Sequence, residues 1–186
     1  MTIGSTGRQS LLSLTLLAAV AVSLVAAPRP EGVLGAFLGA LVLAIAIPDF
    51  RRYIIPNELT AAALALALLR AGTIGPEAGW DALLWVTGRA LAIALPFLGL
   101  MAGYRRWRGR DGLGLGDVKL AGVAGAWLNV VTVFAAVELA TLAALGAYFL
   151  AAAIRKRPLK TTAMLPFGLF LAPAIWLGWL AEAILG

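Results

Sequence analysis

The sequence predicts an all-α protein, built as a polytopic transmembrane bundle of about seven helices. Of its 186 residues, 62% are hydrophobic and only 13% are charged, whereas soluble domains carry roughly 45–50% apolar and about 25% charged residues. The apolar residues fall into long segments that are separated by short basic loops. These observations indicate a membrane protein, because a water-soluble core protein needs far more polar surface.

Seven apolar segments account for the predicted helices, given that a spanning helix needs about 20 largely apolar residues, within roughly 17–25. They cover residues 10–27, 32–48, 57–72, 81–103, 116–128, 130–154 and 163–185. The first could be a signal peptide, since Arg8 precedes it, but another apolar segment follows at once and favours a retained helix. The fifth is short, so we expect it to start inside the protein or to stop short of the far face.

Arginine and lysine predict the orientation, because cytoplasmic loops carry an excess of both. With the N-terminus in the cytoplasm, Arg29 is the only basic residue in the outside loops. The inside loops hold Arg8, Arg51, Arg52, Arg105, Arg106, Arg108, Arg110, Arg155, Lys156, Arg157 and Lys160. This bias predicts an inner (cytoplasmic) membrane protein with its C-terminus outside and with Asp49 and Asp117 at the cytoplasmic face. It also explains the net charge of +6 without nucleic-acid binding.

The absence of histidine and cysteine from the sequence narrows the chemistry that is available. It excludes Ser-His and Cys-His nucleophilic systems, thiol redox chemistry and disulfides, and it removes the ligands of most zinc sites. All serines lie within the first 23 residues, which excludes a Ser-Lys hydrolase elsewhere in the chain. A hydrolase of this composition must therefore use carboxylates, and we expect no cofactor.

The first candidate site is the segment 47–57, which reads IPDFRRYIIPN. Asp49 stands at the end of an apolar run, where it could simply pair with Arg51 or Arg52. Pro56 breaks the chain, and Asn57 is the type of residue that caps a helix by bonding its free N–H groups.

The second candidate site is the segment 112–120, which reads GLGLGDVKL. Its alternate glycines, including Gly114 and Gly116, allow a tight bend and a close approach to another helix or to a substrate strand. Asp117 then sits near a helix N-terminus, where the helix dipole favours the anionic carboxylate. A simple loop or a phosphate cradle is also compatible with the glycines, although the full Walker pattern is missing.

The two aspartates are more informative together than either is alone. Two carboxylates in a site of low dielectric constant cannot both ionise easily, so they tend to share one proton. Aspartic proteolysis requires this state. The ionised carboxylate takes a proton from water, and the protonated one polarises the scissile carbonyl.

Three segments resemble the type IV prepilin peptidase family of GxGD aspartic membrane proteases, in the order of that family. Residues 114–119 are similar to its GxGDxK motif, Asp49 with residues 55–57 to its first aspartate and the IPN that follows, and residues 165–168 to its proline-phenylalanine-glycine segment. GxGD alone is also similar to presenilin-type proteases. The resemblance covers roughly residues 32–185.

The resemblance implies cleavage of short basic leader peptides from prepilin or pseudopilin precursors at the cytoplasmic face, in type IV pilus assembly or protein secretion. It makes Asp49 and Asp117 the catalytic aspartates. The residues it implies in substrate binding or loop shaping are Gly114, Gly116, Lys119, Pro56, Asn57, Pro166, Phe167 and Gly168. For Lys119 the resemblance implies no more specific role, and this residue could simply be an inward-facing cation at the membrane boundary.

The sequence departs from the larger bifunctional relatives, which carry a methyltransferase insert with paired cysteines. It therefore resembles a peptidase-only form, with an N-terminal helix and linker in residues 1–31 and a peptidase-like domain in residues 32–186. Leu169 stands where relatives often have a proline. The sequence does not indicate the function of helix 10–27, the bacterial or archaeal source, which pilin-like protein is the substrate, or the oligomeric state.

Two other functions fit the sequence. A small transporter or channel could use Asp49 and Asp117 as ion sites, although such proteins often have internal repeats and none is evident here. The second alternative function is that of a structural subunit in a pilus or secretion assembly. We further expect Arg89 to pair with Glu138 inside the bundle, and the loop 104–116 to close on a bound leader, bringing both carboxylates within direct or one-water reach.

Overall fold

The computed structural model describes residues 5–27, 30–74, 77–109, 112–156 and 165–185, and these residues form helices and no strand. The helices are α1 (Ser5–Ala26), α2 (Glu31–Arg52), α3 (Asn57–Thr73), α4 (Trp80–Arg108), α5 (Leu115–Trp127), α6 (Val130–Arg155) and α7 (Phe167–Leu185). Five of these, α1, α2, α4, α6 and α7, are long and apolar enough to cross a membrane. The prediction of an all-α, multi-pass bundle of about seven helices is confirmed.

The helices are longer than the apolar segments at the ends that carry arginines. Helix α2 continues through Pro48 to Arg52, and α4 continues to Arg108. Cations in a last turn interact favourably with the helix dipole, and each helix ends only where Tyr53 or Gly109 turns left-handed. The predicted loop 104–116 is therefore shorter than expected, and part of it, residues 110 and 111, lies outside the described residues.

Helix α5 lies in the middle of the bundle. Every residue from 120 to 128 is buried, and α5 packs mainly on α4, α3 and α7. The indole of Trp127 donates a hydrogen bond to the carbonyl of Ala63 on α3 at 2.9 Å. Small residues allow this close packing of helix backbones, as is usual in membranes.

Helices α2 and α7 pack closely, with α1 against both. Gly35 and Gly39 of α2 lie against the indole rings of Trp179 and Trp176 on α7, in space that a side chain on either glycine would fill. The indole of Trp176 also donates to the hydroxyl of Ser23 on α1, at 3.1 Å. These contacts hold the start of α7 beside the end of α2, where Asp49 lies.

The bundle has two polar ends. The end of α2 meets the starts of α3, α5 and α7 at one of them, as expected for helices that alternate in direction. At the other end, Arg70 of α3 forms a salt bridge of 2.8 Å with Glu31 of α2, and Glu182 of α7 accepts a hydrogen bond from the backbone N–H of Asn129.

The expected pairing of Arg89 with Glu138 is wrong. Arg89 donates instead to the backbone carbonyls of Gly125 and Ala126 at the end of α5, while Glu138 is exposed on α6. The physical reason is that α5 is short, so its terminal carbonyls need donors from neighbouring helices.

Candidate active site

Asp49 is the most buried acidic side chain of the polar end where α2, α3, α5 and α7 meet. It occupies the last turn of α2 and is 4% exposed. Its Oδ2 atom accepts a hydrogen bond from the backbone N–H of Leu169 at 2.8 Å. This donor belongs to the first turn of α7, whose N–H groups have no partner within the helix. The carboxyl group of Asp49 therefore faces a helix N-terminus, a position at which backbone N–H groups can bind an anion.

The segment 165–168 opens the last helix, as expected, since α7 begins at Phe167 directly after Pro166. Gly168 is buried, and a Cβ atom at this position would lie 2.6 Å from Cδ1 of Ile55 and 3.0 Å from Oδ2 of Asp49. The glycine is thus required for the helix start to approach the carboxylate.

Asp117 is the third residue of α5 and follows the N-cap Gly114. Its carboxyl group lies beside this N-cap residue: a Cβ atom on Gly114 would be 3.3 Å from Oδ2 of Asp117. Helix α5 is not among the five spanning helices. Burial, and then the negative charge of Asp49, raise the pKa of Asp117 to about 6. Geometry agrees that the two aspartates lie near each other: Ile55 lies at Gly168 together with Asp49 and also at Gly116, the residue before Asp117.

Ile55 connects the helices that carry the site. Its side chain is 9% exposed and lies between two glycines: a Cβ atom on Gly116 would be 2.8 Å from Cβ of Ile55, and one on Gly168 would meet its Cδ1. Sequence reasoning missed Ile55, although it stands inside the IPN segment and two motif glycines imply a bulky neighbour.

Lys119 and Asn57 form a direct link between α5 and α3. The ammonium Nζ of Lys119 donates to Oδ1 of Asn57 at 2.6 Å. Two expectations are thereby corrected. Asn57 is the first residue of α3 and does not cap it, since Pro56 is the N-cap and no side-chain cap bond is present there. Lys119 is exposed and not inward-facing, because its partner lies at the rim of the site.

The simple alternative for Asp49, an ion pair with a neighbouring arginine, does not form. Arg51 and Arg52 are both exposed, whereas the carboxylate of Asp49 faces the start of α7. Among the described residues, no group of three or more acidic, histidine or cysteine side chains is placed to hold a metal ion. Two carboxyl groups at the same polar end, one of them bound by the backbone N–H of Leu169, can offer general acid–base chemistry.

Residues 36–154 match the type IV leader peptidase family. The chain is 31% identical, over 176 residues, to a prepilin leader peptidase/N-methyltransferase of Aeromonas hydrophila. The match covers 88% of this chain and 54% of that relative, so the chain spans about half the length of the curated relative. No solved structure gives a significant match. On the family match, the chain belongs to the type IV leader peptidase family.

Proposed function

We propose that the protein is a membrane-embedded aspartic endopeptidase that removes the short basic leader from prepilin or pseudopilin precursors. The observation that carries this proposal is the meeting of Asp49 and the first turn of α5, which bears Asp117, around Ile55 at one polar end of an otherwise apolar bundle. The raised pKa of Asp117, caused by burial and then by the charge of Asp49, supports it. Family membership supports the substrate class.

Asp49 and Asp117 take different roles in the proposed reaction. Asp49 is the ionised partner, because the N–H of Leu169 stabilises its negative charge. Asp117 carries the shared proton, since burial and the charge of Asp49 both favour its neutral form. The carboxylate of Asp49 takes a proton from water, which attacks the scissile carbonyl while Asp117 donates a hydrogen bond to its oxygen. When the tetrahedral intermediate collapses, the C–N bond breaks and the leaving nitrogen takes up the proton that Asp49 received from water, so Asp49 returns to its ionised state.

We propose that the protein lies in the inner membrane and that its candidate active site is on the cytoplasmic side. Arg51 and Arg52 lie in the last turn of α2, as Asp49 does. Arg105, Arg106 and Arg108 lie in the last turn of α4, which runs antiparallel to α5 and so ends near the start of α5. Excess arginine marks cytoplasmic loops. The same reasoning puts the N-terminus inside and the C-terminus outside.

Peptidase activity alone is proposed for this chain. The relative's name also includes an N-methyltransferase, but residues 27–30 are all that separate α1 from α2, and the sequence has no cysteine. The family match begins at residue 36, which supports the proposed division into an N-terminal helix (1–31) and a peptidase domain (32–186).

Cleavage of a defined precursor tests the reaction. The purified protein, reconstituted in liposomes, is mixed with a prepilin-like precursor from the same genome, and the products are measured by mass spectrometry. We expect one cut, between the basic leader and the apolar segment that follows. Intact precursor, for every candidate that carries such a leader, would contradict the proposal.

Labelling of a single cysteine tests the orientation. Because the native sequence has no cysteine, Trp107→Cys gives one reactive thiol near the end of α4, where the native side chain is 79% exposed. In intact cells we expect an impermeant maleimide to leave this thiol unlabelled until the membrane is opened. Labelling from outside would place the site on the other face.

A further inference from the structure

The C-terminal end of α5 lies inside the bundle. The helix has 13 residues, which is roughly 20 Å, whereas the hydrocarbon core of a bilayer is about 30 Å thick. Leu128, which follows the helix, is fully buried. A helix leaves its last four carbonyls without partners, and irregular backbone at membrane depth is tolerated only where the protein satisfies it.

Two arginines from neighbouring helices supply the missing donors. The carbonyl of Ala124 accepts from the backbone N–H of Leu128 at 2.9 Å. The next two carbonyls accept from Arg89 of α4: Nε donates to Gly125 at 2.6 Å and Nη2 donates to Ala126 at 3.3 Å. The last, that of Trp127, accepts from Nη1 of Arg70 at 3.4 Å. All four terminal carbonyls of α5 are therefore satisfied.

Arg70 and Arg89 are themselves held firmly. The Nε atom of Arg70 lies 3.0 and 2.8 Å from the two carboxylate oxygens of Glu31. Arg89 lies where α4 and α5 touch: a Cβ atom on Gly125 would be 2.9 Å from the backbone oxygen of Arg89, and one on Gly122 would be 3.4 Å from Cβ of Ala94. At Arg89, helices α4 and α5 are thus so close that neither can slide along the other without a clash.

We propose that Arg89, assisted by Arg70, is a positioning residue that fixes the register of α5 and so places Asp117 against Asp49. A short helix moves as a rigid body, so a shift at its C-terminal carbonyls displaces the carboxylate in its first turn. The positive guanidinium groups also complement the negative end of the helix dipole. The inference rests on the proposed catalytic role of Asp117, but the anchoring of α5 can be measured without catalysis.

Kinetics of Arg89 variants test the effect on the reaction. We expect Arg89→Met to lower kcat by roughly 10- to 100-fold, because a misplacement of about 1 Å can cost that much, with little change in KM. Arg89→Lys keeps the charge and one donor, and we expect it to restore part of kcat. Arg155→Met removes an exposed arginine from the last turn of α6 and should behave like the wild type.

Disulfide cross-linking measures the register of α5 directly. The native chain has no cysteine, and the spacing at Gly122 and Ala94 is close to that of a disulfide, so the pair Ala94→Cys and Gly122→Cys should cross-link under mild oxidation. We expect Arg89→Met to reduce the cross-linked fraction and Arg89→Lys to reduce it less. If Arg89→Met does not accumulate in the membrane, the comparison of Arg89→Lys with the native arginine decides.

The two readouts separate the outcomes. Cross-linking that is unchanged in the Arg89 variants would overturn the inference, whether or not kcat falls. A loss of cross-linking together with a loss of kcat would confirm it. If the wild type cleaves no precursor, the proposed peptidase function fails, and the cross-linking alone still decides whether Arg89 fixes α5.

Discussion

The backbone N–H of Leu169 donates a hydrogen bond of 2.8 Å to Oδ2 of Asp49. The donor lies in the first turn of α7 and the acceptor in the last turn of α2, so the bond fixes one candidate catalytic carboxylate to the start of another helix. A hydrogen bond to a charged group contributes more to stability than one between neutral groups, about 1.5–3 kcal/mol.

Leu169→Pro removes this donor without breaking the helix, because proline is tolerated in a first turn. We expect kcat/KM for precursor cleavage to fall roughly tenfold, since the anionic form of Asp49 loses one charge-assisted bond. Leu169→Ala keeps the N–H and serves as the matched control. Equal activity of the two variants would show that this bond does not support catalysis.

The link between Lys119 and Asn57 predicts a double-mutant result. If Lys119 acts by tying α5 to α3, Lys119→Met, Asn57→Ala and the double variant should lose similar amounts of kcat, because each removes the same 2.6 Å bond. Steady-state cleavage kinetics measure all three. A double variant with the summed loss of both singles would mean that the two residues act independently, for example with Lys119 contacting the substrate.

Alanine at either glycine that contacts Ile55 should destabilise the protein, but a smaller residue at position 55 should rescue only one of the two variants. Gly116→Ala and Gly168→Ala should each lower the free energy of unfolding by about 1–3 kcal/mol through overpacking, whereas Gly146→Ala, where nothing lies within 4 Å, should not. Thermal unfolding in detergent measures this. Adding Ile55→Ala should relieve Gly168→Ala, which meets the tip of Ile55, but not Gly116→Ala, which meets its Cβ. Equal rescue of both would contradict the packing described here.

The pKa of Asp117 should respond to the charge of Asp49. Asp49→Asn removes that charge but leaves the larger effect of burial, so the pKa of Asp117 should fall below about 6 and remain above 3.8. Infrared titration of the carboxyl band measures it, with Asp81→Asn as a control that leaves the pKa unchanged. An unchanged pKa in Asp49→Asn would mean that the two carboxylates do not interact.

The same pKa sets the pH dependence of stability. Between about pH 4 and pH 6 the folded state holds a proton on Asp117 that the unfolded state releases, so this group's contribution to the free energy of unfolding falls as the pH rises through that window. Unfolding in denaturant at several pH values should show a smaller decline for Asp117→Asn than for the wild type. Identical declines would contradict the burial of this carboxyl group.

Hydropathy predicted the helices, because apolar segments are visible in the sequence. The charge pattern of the loops predicted that both aspartates lie at one face, and their catalytic role is what the resemblance to the family implies. The contacts of Leu169 and Ile55 were missed, since a backbone donor has no side-chain signature and the two residues meet their partners only when α2, α5 and α7 pack. The error on Arg89 has a different cause. An arginine inside a bundle suggests an acidic partner, but a helix of 13 residues leaves buried carbonyls that an arginine can satisfy.

Cleavage by Asp49→Asn and Asp117→Asn tests the central claim most directly, because asparagine keeps the shape of aspartate but cannot cycle a proton. The precursor is co-expressed with the wild type, each variant, and the control Asp81→Asn, and processing is read as a gel shift at matched protein levels. We predict full processing by the wild type and the control, and intact precursor with both site variants. Processing by either site variant at the wild-type rate would contradict the assignment of Asp49 and Asp117 as the catalytic pair.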